Sequence, residues 1–489
     1  MTPANRCRDI VGKTRGAFRQ AATVPALVLV FLSSACGPKS GSAPSAGEEP
    51  APTPPNVVII LTDDMGYGDL SSYGHPLIRT PNIDRLAAQG QRWTSFYASS
   101  PLCNPSRIAL ATGRMPIRIQ GGELNRWSNL PADETTLGDM FQAAGYATAY
   151  IGKWGMSGRF EAGGVHPNDA GFDYFYGVED FNDGGRRPEV PHTYEGMKNA
   201  TSEDFVFSLF RQKGVIETPT HQPTLTRRYT EESVAWLRQQ IGADSPFFLY
   251  LGHTMPHVPI FRSPEFEGHS RAGLYGDVIE ELDWSVGEVV AALEEGGVAG
   301  DTLVVFSSDN GPWLTYYDLG GSPGPFRDGK HTAWEGGLRV PGIFWWPGTI
   351  EPATTSDIGV QVDLMATLAA ITGAELPHRD LDSIDLSGTL LRAEPSPRNE
   401  WFYYGTRGRL WAYRVGDHKL VLESWESLGK EGELAWRGFD NEQVHDPPLL
   451  FDLSTDLGER FDIAALHPEI VERIEHAIRA HRESLNPVP

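Results

Sequence analysis

Four short apolar runs recur along the chain: "NVVIIL" (56–61), "ATAYIGKW" (147–154), "PFFLYLGHT" (246–254) and "TLVVFSS" (302–308). Each is too short for an ordinary helix and rich in β-branched or aromatic residues, the pattern of a strand buried on both faces. Between them lie segments of helical period: "TPNIDRLAAQG", "TTLGDMFQAAGY", "YTEESVAWLRQQIG" and "GDVIEELDWSVGEVVAALEEGG". The first carries Pro81 near its start and Gly90 past its end, the usual punctuation of a helix. Strands that alternate with helices this way run parallel and need helical crossovers. The chain is therefore expected to be α/β, with a mainly parallel sheet sandwiched by helices.

After residue 375 the texture changes. "EWFYYGTRGRLWAYRVGDHKLVLE" alternates apolar and polar residues between turn signals, which predicts antiparallel strands, and "PEIVERIEHAIRAHRESL" follows as an amphipathic helix. The expected division is a large domain over 56–375 and a smaller C-terminal α+β subdomain with an antiparallel sheet over 376–489. Residues 180–228 read as irregular, an insertion at the rim of a site.

The N-terminus reads as an export signal over residues 1–35. Arg6, Arg8, Lys13, Arg15 and Arg19 precede the apolar run "AATVPALVLVFLSSAC", which is short for a membrane span. Its end resembles a bacterial lipoprotein signal with Cys36 as the lipidated residue, although Ser33 stands where Leu is usual. Residues 36–55 are rich in Gly, Ser, Pro and Ala, the composition of a flexible tether. The expected location is periplasmic or at the surface of a bacterium, with the lipid anchor as the sole membrane contact. Of three cysteines, Cys36 and Cys103 survive cleavage, and a lipidated Cys36 leaves no intrachain disulfide. A net charge of −23 excludes nucleic acid as a partner and requires any bound anion to sit in a locally basic pocket.

Open parallel sheets hold ligands beyond the carboxyl ends of their strands. Asp63 and Asp64 follow the first strand; Asp309 and Asn310 follow the fourth. Either pair alone reads as a turn or a cap; together they form a hard oxygen-donor set for Ca²⁺ or Mg²⁺. In "CNPSRIALATGR" Pro105 suits a first helical position, which puts Cys103 just ahead of a helix N-terminus, with Arg107 in the first turn. A thiol there is expected to be acidic and reactive, or else simply a buried structural cysteine.

The same stretch resembles the signature of the formylglycine-dependent sulfatases, of the alkaline-phosphatase-like superfamily, at Cys103, Pro105, Ser106, Arg107, Thr112, Gly113 and Arg114. "NVVIILTDDMGYGDLSSYGHP", "PFFLYLGHTMPHVP", "VVFSSDNGP", "GKHTAWEGGLRVP" and "PPLLFDLSTDLGERFDIA" are similar to further motifs of that family, chiefly its arylsulfatase A and N-acetylgalactosamine-6-sulfatase group. The resemblance implies that a formylglycine-generating enzyme converts Cys103 to Cα-formylglycine, whose hydrated aldehyde attacks sulfur. It implies Ca²⁺, or Mg²⁺, on Asp63, Asp64, Asp309, Asn310 and residue 103. It further implies His257 as the acid for the leaving oxygen, and positive charge from Arg107, Lys153 and Lys330 around the sulfuryl group.

One motif departs from the family. The usual Gly-Lys-Trp-His reads "GKWG" here, so Gly155 replaces a histidine; either another group, such as His166 or a water, serves as base for sulfate release, or that step differs in this branch. His253 is expected at the rim or behind the site, and His331 facing substrate. Trp313, Tyr316 and Tyr317 either stack on a sugar or aryl group or simply pack, and Arg186 and Arg187 could meet a second anion. The expected substrate is a sulfated small molecule or oligosaccharide, most naturally a carbohydrate. The alternatives are a phosphomonoester or phosphodiester hydrolase of the same superfamily, and a binding protein without turnover.

Overall fold

The computed structural model describes residues 54–119, 129–243, 245–405, 408–428 and 443–485. The signal and nearly all of the tether lie outside the described residues. Ten strands form the main sheet: β1 Asn56–Thr62, β2 Gln91–Tyr97, β3 Ala147–Lys153, β4 Tyr174–Val178, β5 Leu209–Arg211, β6 Gly214–Glu217, β7 Phe247–Gly252, β8 Thr302–Ser308, β9 Arg339–Trp345 and β10 Ala353–Val360. Their order is β10-β2-β9-β8-β1-β7-β3-β4-β5-β6. The block β8-β1-β7-β3-β4 is wholly parallel, and β9 and β5 turn the flanks antiparallel.

The period of two along β1 explains why this block is central. Val58 and Ile60 enter one apolar cluster while Val57, Ile59 and Leu61 enter the other. The first cluster is roofed by helices Pro81–Gln89, Leu225–Gln240 and Gly273–Glu295, the second by Cys103–Thr112, Leu137–Ala143 and Leu364–Thr372. Each such side chain, fully buried, contributes about 1.5–3 kcal/mol. The strand thus fixes its neighbours on both faces, and the polar residues just past its end are held rigidly.

The region expected to be irregular is more ordered than its sequence suggests. It carries helix Tyr194–Lys198, the β5–β6 hairpin and the first turn of Leu225–Gln240. These pieces are too short to show a period, which is why they read as loop.

Beyond residue 375, β11 Glu400–Tyr404, β12 Leu410–Val415, β13 His418–Ser424 and β14 Gln443–Asp452 form an antiparallel meander in that order. Helix Pro468–Leu485 covers it through Ile474 and Ile478. Trp334, Leu338 and Val360 share one apolar cluster with Trp401, Trp411 and Leu420. Within it, Lys419 donates to the carbonyl of Ala333 at 2.7 Å and pairs with Glu335 and Glu459 at 3.0 and 2.8 Å. Among the described residues, cis peptide bonds precede Pro219, Pro256, Pro259 and Pro447.

Candidate active site

Because β8, β1, β7 and β3 are adjacent and parallel, their carboxyl ends meet at one sheet edge. There β1 delivers Asp63 and Asp64, β8 delivers Asp309 and Asn310, β3 ends in Lys153, and the turn after β7 brings His257. β2 runs in the same sense, so the helix after it presents Cys103 to the same edge.

The nine residues expected as metal ligands or catalytic groups are buried, and their contacts join them into one cluster. Arg107 Nε pairs with Asp309 Oδ2 at 2.7 Å, and its Nη2 lies 3.8 Å from Asp63. Lys153 Nζ is 2.5 Å from Asp63 Oδ2 and Lys330 Nζ 2.7 Å from the Asp64 carboxylate. Asn310 Nδ2 donates to Asp64 Oδ1 at 2.7 Å, and the Asp64 N–H donates to Asp309 Oδ1 at 3.1 Å. These bonds hold Asp64 at φ +64°, a left-handed conformation that a short polar residue tolerates but rarely adopts. His257 Nε2 is 3.7 Å from Asp64 Oδ2.

Burial raises the Asp64 carboxyl, although Lys330 pulls it back, and burial with the neighbouring Asp63 raises Asp309. Burial opposes the charge on Lys330 and Lys153, but Asp64 and Asp63 more than compensate, so both stay protonated. Burial, then Lys330 and Lys153, hold the His257 imidazole well below its ordinary range.

The donor set fits a hard divalent cation. Ligand atoms of Asp63, Cys103 and Asp309 lie within 4.8 Å of one another, as do those of Asp63, Asp64 and His257. Asp63 Oδ1 and Asn310 Oδ1 are buried with no hydrogen-bond donor, an arrangement that an oxygen-seeking cation would satisfy. Three carboxylates here face three fixed cations, so a bound divalent ion would leave an excess of two positive charges, suited to an anionic substrate and an anionic nucleophile.

Residues 55–374 match the family model described as Sulfatase, and residues 396–489 that described as the C-terminal region of aryl-sulfatase. The chain belongs to the sulfatase family. This sulfatase is 38% identical to arylsulfatase A of Bos taurus over 448 residues, covering 88% of this chain and 87% of the relative. It is 35% identical to N-acetylgalactosamine-6-sulfatase of Sus scrofa over 481 residues, with 91% and 89% covered. The crystal structure of the PsFucS1 sulfatase from Pseudoalteromonas sp. superposes with a TM-score of 0.76 at 28% identity, covering 88% of this chain and 90% of that one. The sulfatase is a sulfuric ester hydrolase, and its family is generally metal-binding and formylglycine-dependent. Among the described residues no helix is long and apolar enough to cross a membrane.

Several expectations are corrected by the geometry of this sulfatase. Cys103 is itself the first helical residue, with Pro105 third in the helix. Its thiol is not acidic: burial pushes it up to about 11, and Asp63 and Asp309 add to that against the pull of Lys153 and Lys330. Its environment depends on strands far away in sequence, which the local helix-start argument does not include.

His166 does not replace the histidine missing at Gly155. Its Nδ1 accepts from the Asn168 N–H, its Nε2 lies 3.2 Å from the Gln212 carbonyl, and its ring packs on Phe160 and Phe175. Gly155 itself is at φ +64°, and a Cβ there would lie 3.0 Å from Lys153 Cε and 3.2 Å from Arg107 Cδ. His253 is wholly buried beside Ser285 and Tyr229, not at a rim.

Trp313 and Tyr316 are buried as well and cannot stack on a ligand from a rim; only Tyr317 is exposed. Trp313 is an inner wall, its ring 4.3 Å from Lys330 Nζ and 5.4 and 5.5 Å from the His257 and His331 rings. Arg186 is bonded to the carbonyl of Val190, while Arg187 is exposed. Sequence reasoning does not reach Asn182, whose Oδ1 is 2.9 Å from His257 Nδ1, nor Asp183 and His192, paired at 3.1 Å beside Tyr316. The one available signal is the run "FNDGG" shortly after β4, a polar loop near a strand end.

Proposed function

We propose that this sulfatase hydrolyses sulfate monoesters of a carbohydrate, with residue 103 as Cα-formylglycine and Ca²⁺, or alternatively Mg²⁺, on Asp63, Asp64, Asp309, Asn310 and residue 103. The observation that carries the reading is the buried balance of three carboxylates and three cations around residue 103, with two acceptor oxygens left over. The carbohydrate is favoured by the name of one relative, N-acetylgalactosamine-6-sulfatase. When bound, the cation supplies Lewis-acid polarisation of a sulfate oxygen and lowers the pKa of a coordinated hydroxyl. The hydrated aldehyde supplies the nucleophilic oxygen.

The chain's own side chains do the rest. Arg107 is locked to Asp309 and aimed between Asp63 and the Lys153 carbonyl, so it orients the ligand carboxylates. Lys153 and Lys330 stand as fixed positive charges against the sulfuryl oxygens, in a site from which burial excludes bulk water. His257, on the Asp64 side of the cluster, protonates the departing oxygen. The reading extends to the N-terminus: residues 1–35 direct export, Cys36 is lipidated, and a formylglycine-generating enzyme matures residue 103.

The test is turnover of an aryl sulfate against the matching aryl phosphate by protein with residue 103 fully converted and Ca²⁺ present. Preference for the sulfate is expected. Preference for the phosphate would make this a phosphoester hydrolase, and binding without turnover would leave a binding protein.

A further inference from the structure

We propose that Asn182 is a positioning residue that fixes the tautomer of His257, so that Nε2 alone faces the reacting ester. The proposal rests on the reading of His257 as the proton donor. His257 Nδ1 lies 2.9 Å from Asn182 Oδ1. Which end of the amide meets the ring is settled by its other end: Asn182 Nδ2 faces three acceptors, the Pro259 carbonyl at 2.7 Å, Gln222 Oε1 at 3.0 Å and the His257 carbonyl at 3.3 Å. Turning the amide over would set an oxygen against three oxygens. Oδ1 is therefore the end offered to the ring, and because it can only accept, Nδ1 must carry a proton.

The amide is itself clamped. Gln222 Nε2 donates to the Asn182 carbonyl at 3.1 Å, and the Gln222 N–H donates to Ser202 Oγ at 2.9 Å. Asn182, Gln222 and His257 are all at most 2% exposed, so bulk water does not compete for these bonds. The ring is flanked by Phe181, near-parallel at 6.4 Å, and Trp313 at 5.4 Å. With Nδ1–H fixed, Nε2 is the atom 3.7 Å from Asp64 Oδ2 at the cation site.

Donation from Nε2 requires the imidazolium, a form that burial, Lys330 and Lys153 disfavour in the free site and that an anionic sulfate ester beside Nε2 would favour. The Nε2–H bond breaks as an O–H bond forms on the leaving oxygen. The pair of electrons stays on Nε2, the neutral Nδ1–H ring remains on Asn182, and water returns the proton. The excursion over 180–228 thus supplies two residues that aim a group on a different loop.

The test uses the matured, Ca²⁺-loaded full-length enzyme and a series of sulfate esters from 4-nitrophenyl to alkyl. Asn182→Leu is expected to lower kcat/KM for alkyl sulfates by about 10–100-fold, the range seen when partners that orient metal-bound histidines are removed, and for 4-nitrophenyl sulfate by less than about threefold. In a His257→Ala background the same change should add less than about threefold, because coupled residues are not additive. Gln222→Met, which frees the amide without removing it, should give the same pattern at smaller amplitude and stands in if Asn182→Leu does not fold. Equal losses across the ester series, or full additivity with His257→Ala, would reduce Asn182 to a packing role and overturn the proposal. If His257→Ala alone shows no dependence on the leaving group, the reading of His257 fails first and the proposal falls with it.

Discussion

Replacing Lys153 with Met tests the charge balance of the site through binding and stability, without relying on turnover. Lys153 Nζ sits 2.5 Å from Asp63 Oδ2, and both side chains are fully buried. The nearest other cation to that oxygen is Arg107, at 3.8 Å and already committed to Asp309. Lys153→Met preserves volume but leaves three carboxylates facing two cations. Removing one partner of a buried pair costs about 3–5 kcal/mol. Unfolding entropy of about 2 cal/mol/K per residue converts that to roughly 3–5 °C in Tm for a chain of this length. A divalent cation should reverse the loss, because removing one positive charge at about 4–5 Å from a doubly charged ion is worth up to about 7–8 kcal/mol at an effective dielectric of about 20, of which relaxation of the site leaves a fraction. The variant should therefore bind Ca²⁺ on the order of 10–100-fold more tightly than the parent while turning over poorly. Thermal unfolding in EDTA and in Ca²⁺, with calorimetric titration of the chelated protein, measures both. Weaker Ca²⁺ binding, or the same destabilisation with and without the ion, would refute the placement of the cation beside Asp63.

Asp309→Ala should lose the cation and turnover together and destabilise the protein by about 3–5 kcal/mol by stranding Arg107, as metal content and thermal unfolding would show; unchanged stoichiometry would contradict this. Gly155→Ala should cost about 1–2 kcal/mol for a Cβ at φ +64°, and it should lower turnover by pressing on Lys153 and Arg107, which their ion pairs prevent from yielding; an unchanged Tm and kcat would contradict it. At the C-terminal helix, His481 stacks on Phe402 at 3.6 Å and meets Tyr404 Oη at 2.8 Å, and burial, helped by Arg118, lowers its pKa to about 4. The unfolded chain takes up that proton first, so stability falls as pH drops from about 6.5 toward 4. His481→Gln should flatten that part of the Tm–pH curve, and an unaltered slope would show that other groups carry it.

The central strands were legible because both faces of β1 and β8 are buried, which forces an unbroken apolar run. The carboxylates and amide past their ends were legible for the same reason: sheet geometry leaves few other places for a ligand. The flanks were not. Pro341 and Gly342 argue against a strand, yet β9 accommodates them where its register with β2 shifts between Val340 and Gly342. β10 is exposed over its first half and shows no apolar signal. The Cys103 thiol was misread because its surroundings come from Asp63, Asp309, Lys153 and Lys330, which lie on four different segments. Asn182 was out of reach for a related reason. Its role rests on three acceptors contributed by Gln222, His257 and Pro259, none of which is near it in sequence.

The central claim is that residue 103 is the working nucleophile as formylglycine. The most direct measurement is the intact mass of the peptide spanning residues 99–114 in protein isolated from the organism that makes it. The expected result is the mass of an aldehyde or its hydrate at residue 103. An unmodified cysteine throughout, in protein that still releases sulfate, would contradict the claim outright.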